Sequence, residues 1–371
     1  LRRQRQRCIR DSAWPAVNSG CSYLRYDCRG RFLAVFLLAA LYLLSIFADF
    51  VVPYAPLERL KNFNDTPPTT IRLINEMGRL VRPFVYQTTR ELNRATFKYE
   101  YAEDRSQAHP IRFFVRTEEF KLLGLIPMNV KLFGLEDRSV PLFLFGSDRL
   151  GRDVFSRIFF AGRISLFIGF GGVILTFILG SILGGISGYY GGVVDEAIQR
   201  LIEVLISIPD IPIWIALSAA LPRDWGTINI YFAITVILAI RGWTGLARVV
   251  RGKIISLREE EFALAAKAAG ATDHRIIFRH LLPAFVSYLI VHVTLAIPQM
   301  ILGETALSFL GLGIRPPAVS WGTLLQDAQD VTVLANLPWL LIPAAFVVVA
   351  ILLFNFIGDG LRDAADPYAQ R

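Results

Sequence analysis

The chain has 371 residues, 54% of them hydrophobic and only 19% charged. That is too apolar for a typical soluble domain. The formal net charge of +8 could suit a nucleic-acid binder, but the basic residues flank apolar runs, so the lipid bilayer is the expected partner and nucleic acid is not.

The N-terminal stretch, Leu1 to Arg31, carries eight Arg against two Asp and reads as a basic cytoplasmic tail that anchors topology. It opens on Leu rather than Met, which suggests a trimmed start. All three cysteines, Cys8, Cys21 and Cys28, lie here without an accompanying His. Neither a disulfide framework nor a zinc spacing results, and no bound metal is expected. Phe32 to Val52 is an apolar run broken only by Asp49, long enough to span a bilayer and too long for a signal peptide.

Residues 53–158 form a separate region, rich in charge and aromatics, with no run able to cross. Ile111 to Val115 and Met128 to Phe133 look β-like. A structureless loop of this length would be unusual, so a small insertion of mixed structure is expected. It closes on Phe143 to Leu166, an amphipathic segment whose Arg149, Arg152, Arg157 and Arg163 suit a membrane interface.

Residues 159–371 read as the core transmembrane domain, with five further spans. The second, Ile164 to Ser187, runs into glycines 180, 184, 188 and 192, a small-residue face for close helix packing. Tyr189 to Asp195 reads as a short turn. The third span, Leu201 to Leu221, holds Glu203, Pro209, Asp210 and Pro212. Carboxylates at membrane depth face a cavity or a partner, or sit at the headgroups, and the prolines should break the helix. The fourth, Ile228 to Ala247, ends near Arg241 and Arg248.

A cytoplasmic loop over 251–283 follows. Within it, Glu261 to Pro283 is a polar island containing six alanines between Ala263 and Ala271. Its first half predicts a thin helix, with Phe262, Ala265, Ala266 and Ala269 on one face. Gly270 is the helix stop, and Thr272 with Asp273 the start of a second helix. A solvated helical hairpin and a docking element are both compatible with this pattern. The fifth span, Ala284 to Leu310, carries His292, Gln299, Met300 and Glu304. His292 and Gln299 share a face, which is either a translocation pathway, together with Asp210, Met300 and Glu304, or an interhelical hydrogen-bonding seam. An outer loop over 314–332 with a short helix near Trp321 to Ala328 precedes the sixth span, Val333 to Ile357.

Arg and Lys counted over tails and short loops number 19 on the side of the polar island and two, Arg223 and Arg315, on the other. Both termini and the island are therefore placed in the cytoplasm and residues 53–158 outside. No Gly-rich phosphate cradle with Lys and Ser or Thr occurs, and no hydrolase or zinc-protease motif. Such a chain is not an enzyme, and its transport energy comes from a partner or an ion gradient.

Four stretches carry a family resemblance. Ala265, Ala266, Gly270, Leu282 and Pro283 match the coupling-loop signature of ABC importer permeases, with Glu261 and His280 placed as in the peptide-importer branch. Leu264 stands where the general signature has Glu. Gly146, Asp148, Gly151, Arg152, Asp153 and Arg157, with further positions to Leu166, resemble the segment before the second helix of dipeptide and oligopeptide permeases; Ser147 replaces a usual Thr. Glu304 to Gly313 and the Asp359 to Pro367 tail resemble the corresponding segments of that family.

The resemblance implies an all-α integral membrane protein of six transmembrane helices, the type I importer permease fold, with an unusually long first extracytoplasmic loop. It implies a second homologous permease, two ATPase subunits that use ATP and Mg, and an extracytoplasmic substrate-binding protein, in the inner membrane of a bacterium. The loop would dock on an ATPase, the solute would be a peptide, and the insertion would add a contact to the binding protein or the second permease. The alternative is an ion-gradient-driven secondary transporter with Asp210, Glu203, His292 and Glu304 as a proton relay.

Overall fold

The computed structural model describes residues 16–365, apart from 75–77, 95–97, 138 and 223. Most of the basic tail, the cysteine side chains, Arg223 and the Asp366-Pro367 end of the tail motif lie outside the described residues.

A long first helix, α1 (Ala16–Ile46), is followed by one turn, α2 (Ala48–Val51). Five strands come next: β1 (Arg72–Ile74), β2 (Leu80–Asn93), β3 (Lys98–Pro110), β4 (Arg112–Leu122) and β5 (Ile126–Gly134). The bundle then runs through α3 (Val154–Tyr190), α4 (Gly192–Ser207), α5 (Asp210–Ala219) and α6 (Thr227–Leu257). After α7 (Glu261–Ala268), α8 (Asp273–Phe309) returns through the bundle. Two short helices, α9 (Trp321–Gln326) and α10 (Val331–Asn336), lead into α11 (Ile342–Ala365).

Among the described residues, four helices are long and apolar enough to cross a membrane: α3, α6, α8 and the Pro338–Ala364 stretch that contains α11. The pair α4 and α5 meets at 88° and makes a fifth if taken as one broken span. The apolar part of α1, Phe32–Ile46, is shorter.

The centre of the bundle is the seam between α3 and α6, made by absent side chains. A Cβ on Gly184 would lie 2.5 Å from the Ala247 carbonyl, and one on Gly188 2.7 Å from that of Arg251. Gly180 sits likewise against the Leu246 side chain. Close backbone approach replaces hydrophobic drive where the surroundings are already apolar. Gly192 does not join this face, since it opens α4 into free space.

The insertion is all β in its strands. β1, β2 and β3 form one antiparallel sheet, and β4 with β5 a separate hairpin. Val85, Leu135, Val140 and Leu142 form its small core. This agrees with the β-like reading of 111–115 and 128–133.

Several boundaries differ from the sequence expectation. The helix expected from Ile164 starts at Val154, because Asp153 caps it by accepting from the Ser156 amide at 2.8 Å. The turn expected over Tyr189 to Asp195 is confined to Gly191, whose φ of +66° only glycine adopts freely. The span expected over Leu201 to Leu221 is two helices, because Pro209 breaks it and caps α5.

Candidate functional site

The polar island folds as a compact hairpin at one end of α3. Glu260, in extended backbone, precedes α7. The helix ends in a Schellman motif: the Ala271 amide donates to the Ala266 carbonyl (3.1 Å) and the Gly270 amide to that of Lys267 (3.0 Å). Gly270 holds φ +80°. Thr272 occupies the next N-cap but makes no side-chain cap bond. Asp273 instead accepts from the Tyr189 hydroxyl at 2.8 Å, which ties the hairpin to the last turn of α3. The chain then widens to a π turn, Ile276–Leu281, before Pro283. Proline lacks an amide and crowds the carbonyl four residues earlier, so the helix must loosen there. His280 lies half-buried in that turn and Pro283 is exposed.

The hairpin has two faces. Ala263 and Ala266 turn inward onto Leu246, Val250, Ile254 and Ile276. Phe262 (43% exposed), Leu264 (54%), Ala265 and Ala269 point out. Ala266, expected on the docking face, therefore belongs to the packing face, and Leu264 takes its place outside. An apolar knob rimmed by Glu259, Glu260, Glu261 and Lys267 suits a protein partner better than water.

Arginines lock the base of the hairpin. Arg251 grips Asp195 with two bonds of 2.5 and 2.6 Å, and Asp195 also takes the Ser187 hydroxyl at 2.5 Å. Arg258 Nη1 donates to the carbonyls of Gly188 and Tyr189, the open end of α3 (3.2 Å each). Sequence reading did not single out these three residues. Asp195 lies 56 positions from Arg251, and nothing local announces the pair.

The opposite end of α3 holds a second constellation, about 55 Å away by helix rise. Asp148 is 2% exposed. One of its oxygens accepts from the Leu150 (2.8 Å) and Arg152 (3.0 Å) amides; the other accepts from Arg152 Nε (2.7 Å) and from Arg157 Nη1. Asp327, from the loop after α9, reaches Arg157 at 3.7 Å and Arg152 at 3.9 Å. Its carboxyl is pushed up by burial, an effect the Arg157 charge opposes. Gly146 and Gly151 both have positive φ, with Thr66 and Leu60 carbonyls where a side chain would go. The Ser147 carbonyl accepts from the Trp339 indole at 2.9 Å. Asp153 is fully enclosed, and burial pushes its carboxyl up to about 7 against the pull of the Ser156 bonds. These residues clasp the insertion, α3 and the approach to the last span together.

The proposed pathway residues are not gathered in one place. Asp210 pairs with Arg241 at 2.9 Å, and the same arginine holds the freed Ile208 carbonyl at the α4–α5 break. Glu304 is fully buried and accepts from Ser165 (3.0 Å) and Ser308 (2.7 Å). Ser165 in turn takes the Trp321 amide at 3.0 Å. Met300 is buried against Gly172 and Gly242. Glu304 and Met300 are thus buried where α8 packs against α3 and α6, because small residues on those helices draw that face of α8 inward. His292 is half-buried, with its ring stacked 6.5 Å from Tyr288, and Gln299 is exposed. Glu203 is paired with Arg200 at 3.1 Å. Each member of the supposed proton relay has its own local surroundings, and no shared chain of bonds links them among the described residues.

Comparison with known proteins gives one family. The profile of the binding-protein-dependent transport system inner membrane component matches residues 164–370. The dipeptide transport system permease protein DppC of Bacillus subtilis is 42% identical over 251 residues, 67% of this chain and 76% of that protein. The oligopeptide transport system permease protein OppC of the same organism is 40% identical, covering 60% of this chain and 71% of that one. OppC of Escherichia coli is 42% identical over 60% and 72%. Among solved structures, the inward-facing MetNI methionine ABC transporter is similar at 19% identity and a TM-score of 0.41, over 55% of this chain and 94% of that one.

Proposed function

Because the chain belongs to the family of binding-protein-dependent transport system inner membrane components, we propose that it carries peptides or peptide-like solutes into the cytoplasm. It is the permease subunit of an ABC importer, a multi-pass inner-membrane protein, and it does not itself hydrolyse ATP. The peptide assignment rests on what its relatives are named for.

The observation that carries the mechanism is the α7 hairpin. It presents Phe262, Leu264, Ala265 and Ala269 outward while its base is bonded to the end of α3 through Tyr189 and Arg258. A push on that knob is passed to α3, and from α3 to α6 through a glycine seam that leaves no slack. In this reading two ATPase subunits, using ATP and Mg, dock beneath the hairpin, and a homologous second permease completes the pathway. An extracytoplasmic binding protein delivers solute at the clasp end. The fold is the type I importer permease fold with six crossings, counting α1 and the broken α4–α5 pair, and with both termini in the cytoplasm. His292 and Gln299 on α8 are the pathway residues that remain; Asp210, tied to Arg241, stands at its edge. The insertion from residue 53 contacts the binding protein or the second permease.

Uptake of a labelled dipeptide and a labelled pentapeptide into vesicles holding the purified complex tests this. Uptake that needs ATP and the binding protein is expected. Transport by the isolated chain on an ion gradient would overturn it. Removing the strands of the insertion should spare membrane insertion and weaken delivery; undiminished uptake would count against the contact role.

A further inference from the structure

The β4–β5 hairpin ends in an apolar tip. Leu122 to Met128 reads Leu-Leu-Gly-Leu-Ile-Pro-Met, between Lys121 and Asn129. Leu123 is 47% exposed, Leu125 81% and Ile126 57%. Turn positions facing water are normally filled with polar residues, so an uncovered run of this kind requires an apolar surrounding.

The position of the tip says which surrounding. The Leu123 amide donates to Asp49 Oδ2 at 3.1 Å. Asp49 also takes Arg163 Nη2 at 2.7 Å, and Arg163 reaches the Ser45 and Ile46 carbonyls that end α1. Further along the hairpin, Lys131 donates to the Val52 carbonyl at 3.0 Å, and the Phe114 ring lies 6.4 Å from that of Phe50. The tip is therefore fixed at the depth where the first apolar run meets the headgroups, marked by its own charged pair, Asp49 and Arg163. Leu43, on the last turn of α1, and Phe47, just past its end, are exposed as well, so the apolar tip continues an exposed apolar band.

We propose that the tip of the β4–β5 hairpin inserts into the outer leaflet beside α1 and anchors the insertion to the bilayer, with Leu123, Leu125 and Ile126 among the acyl chains and Lys121 at the headgroups. Apolar side chains sunk to the headgroup boundary gain the same burial as in a core, and a basic neighbour suits lipid phosphates. The anchor would set the tilt of the insertion over the outer face, independently of which solute the importer carries.

The test uses the full chain assembled with its partners in vesicles, with Cys8, Cys21 and Cys28 replaced by Ser. A single Cys is placed by Leu125→Cys, or at mid-strand by Glu118→Cys, and labelled with an environment-sensitive fluorophore. Lipids brominated near the headgroup end of the acyl chain should quench the label at position 125 about twofold and leave position 118 nearly unchanged. A label at 125 that is quenched by aqueous iodide and not by brominated lipid overturns the proposal. Protection from both quenchers would assign the tip to a protein partner and overturn it equally.

Discussion

Arg157 lies against Asp148 with both side chains shut away from solvent, 6% and 2% exposed. An ion pair at that depth is held by the bonds around it rather than by its own attraction. Asp148 fills its remaining acceptor sites with two amides and the Arg152 guanidinium, and Arg157 leans on Asp327. The pair ties the first turns of α3 to the segment that precedes it.

Asp148→Leu leaves the buried Arg157 with only the more distant Asp327 as counter-charge, and breaking such a buried pair costs about 3–5 kcal/mol. A steep loss of folded chain in detergent, read by size-exclusion thermal stability, is expected. The double variant with Arg157→Met should recover much of that loss, since apolar isosteres remove the desolvation cost as well. A double variant no better than the single one would show that the pair's geometry matters more than its charge.

Asp153 gives a pH signature. Its carboxyl is raised in the folded chain to about 7, so the folded state binds its proton more tightly than the unfolded state does. The resulting stabilisation is complete below the ordinary carboxylate range and is lost as pH rises through about 7. The amides of the 146–153 turn should therefore exchange faster at pH 8 than intrinsic rates predict from pH 6. Asp153→Asn, which keeps an acceptor for the Ser156 amide and cannot ionise, should flatten that difference.

Gly270 is open on all sides, so a side chain there meets no neighbour and reports backbone strain alone. Gly270→Val should strain the hairpin by about 1–2 kcal/mol, and Gly270→Asn by less. ATP hydrolysis by the assembled complex should persist while solute moved per ATP falls, in the order Asn then Val. Unchanged coupling in the valine variant would remove the transmission role given to the hairpin.

Tyr189→Phe removes the hydroxyl that reaches Asp273 and nothing else. A stability change of about 0.5–1.5 kcal/mol is expected, with the same fall in solute per ATP. An uncoupled complex with undisturbed assembly would place transmission at this bond rather than in the hairpin's outer face.

Gly184→Val tests the seam. Its Cβ would meet the Ala247 backbone, which cannot step aside as a flexible side chain could. Overpacking of this kind costs about 1–3 kcal/mol. Gly245→Ala on the neighbouring helix, where nothing lies within 4 Å, should instead be neutral or slightly stabilising. Thermal stability of the two variants side by side separates packing from propensity.

Local chemistry reached far in this chain. Apolar run length marked the membrane class, Gly270 marked the break of the hairpin, and Pro209 marked the broken pair. Those features depend on a few consecutive backbones, and a residue's own φ or missing amide is enough to set them. The Asp148 segment was also visible, though as a pattern without a purpose.

What the amino-acid order settled was which stretches leave water, where helices must stop, and which loop carries small residues between charged edges. Only the fold decided what faces what. Ala266 and Ala265 are neighbours in the chain, yet one packs on Val250 and the other meets solvent. Glu304 could be read as a polar group within a span, and only the fold brings Ser165 to it across 139 positions. Burial and pairing are properties of surfaces that meet after folding, and a linear sequence holds them only through contacts between segments far apart in number.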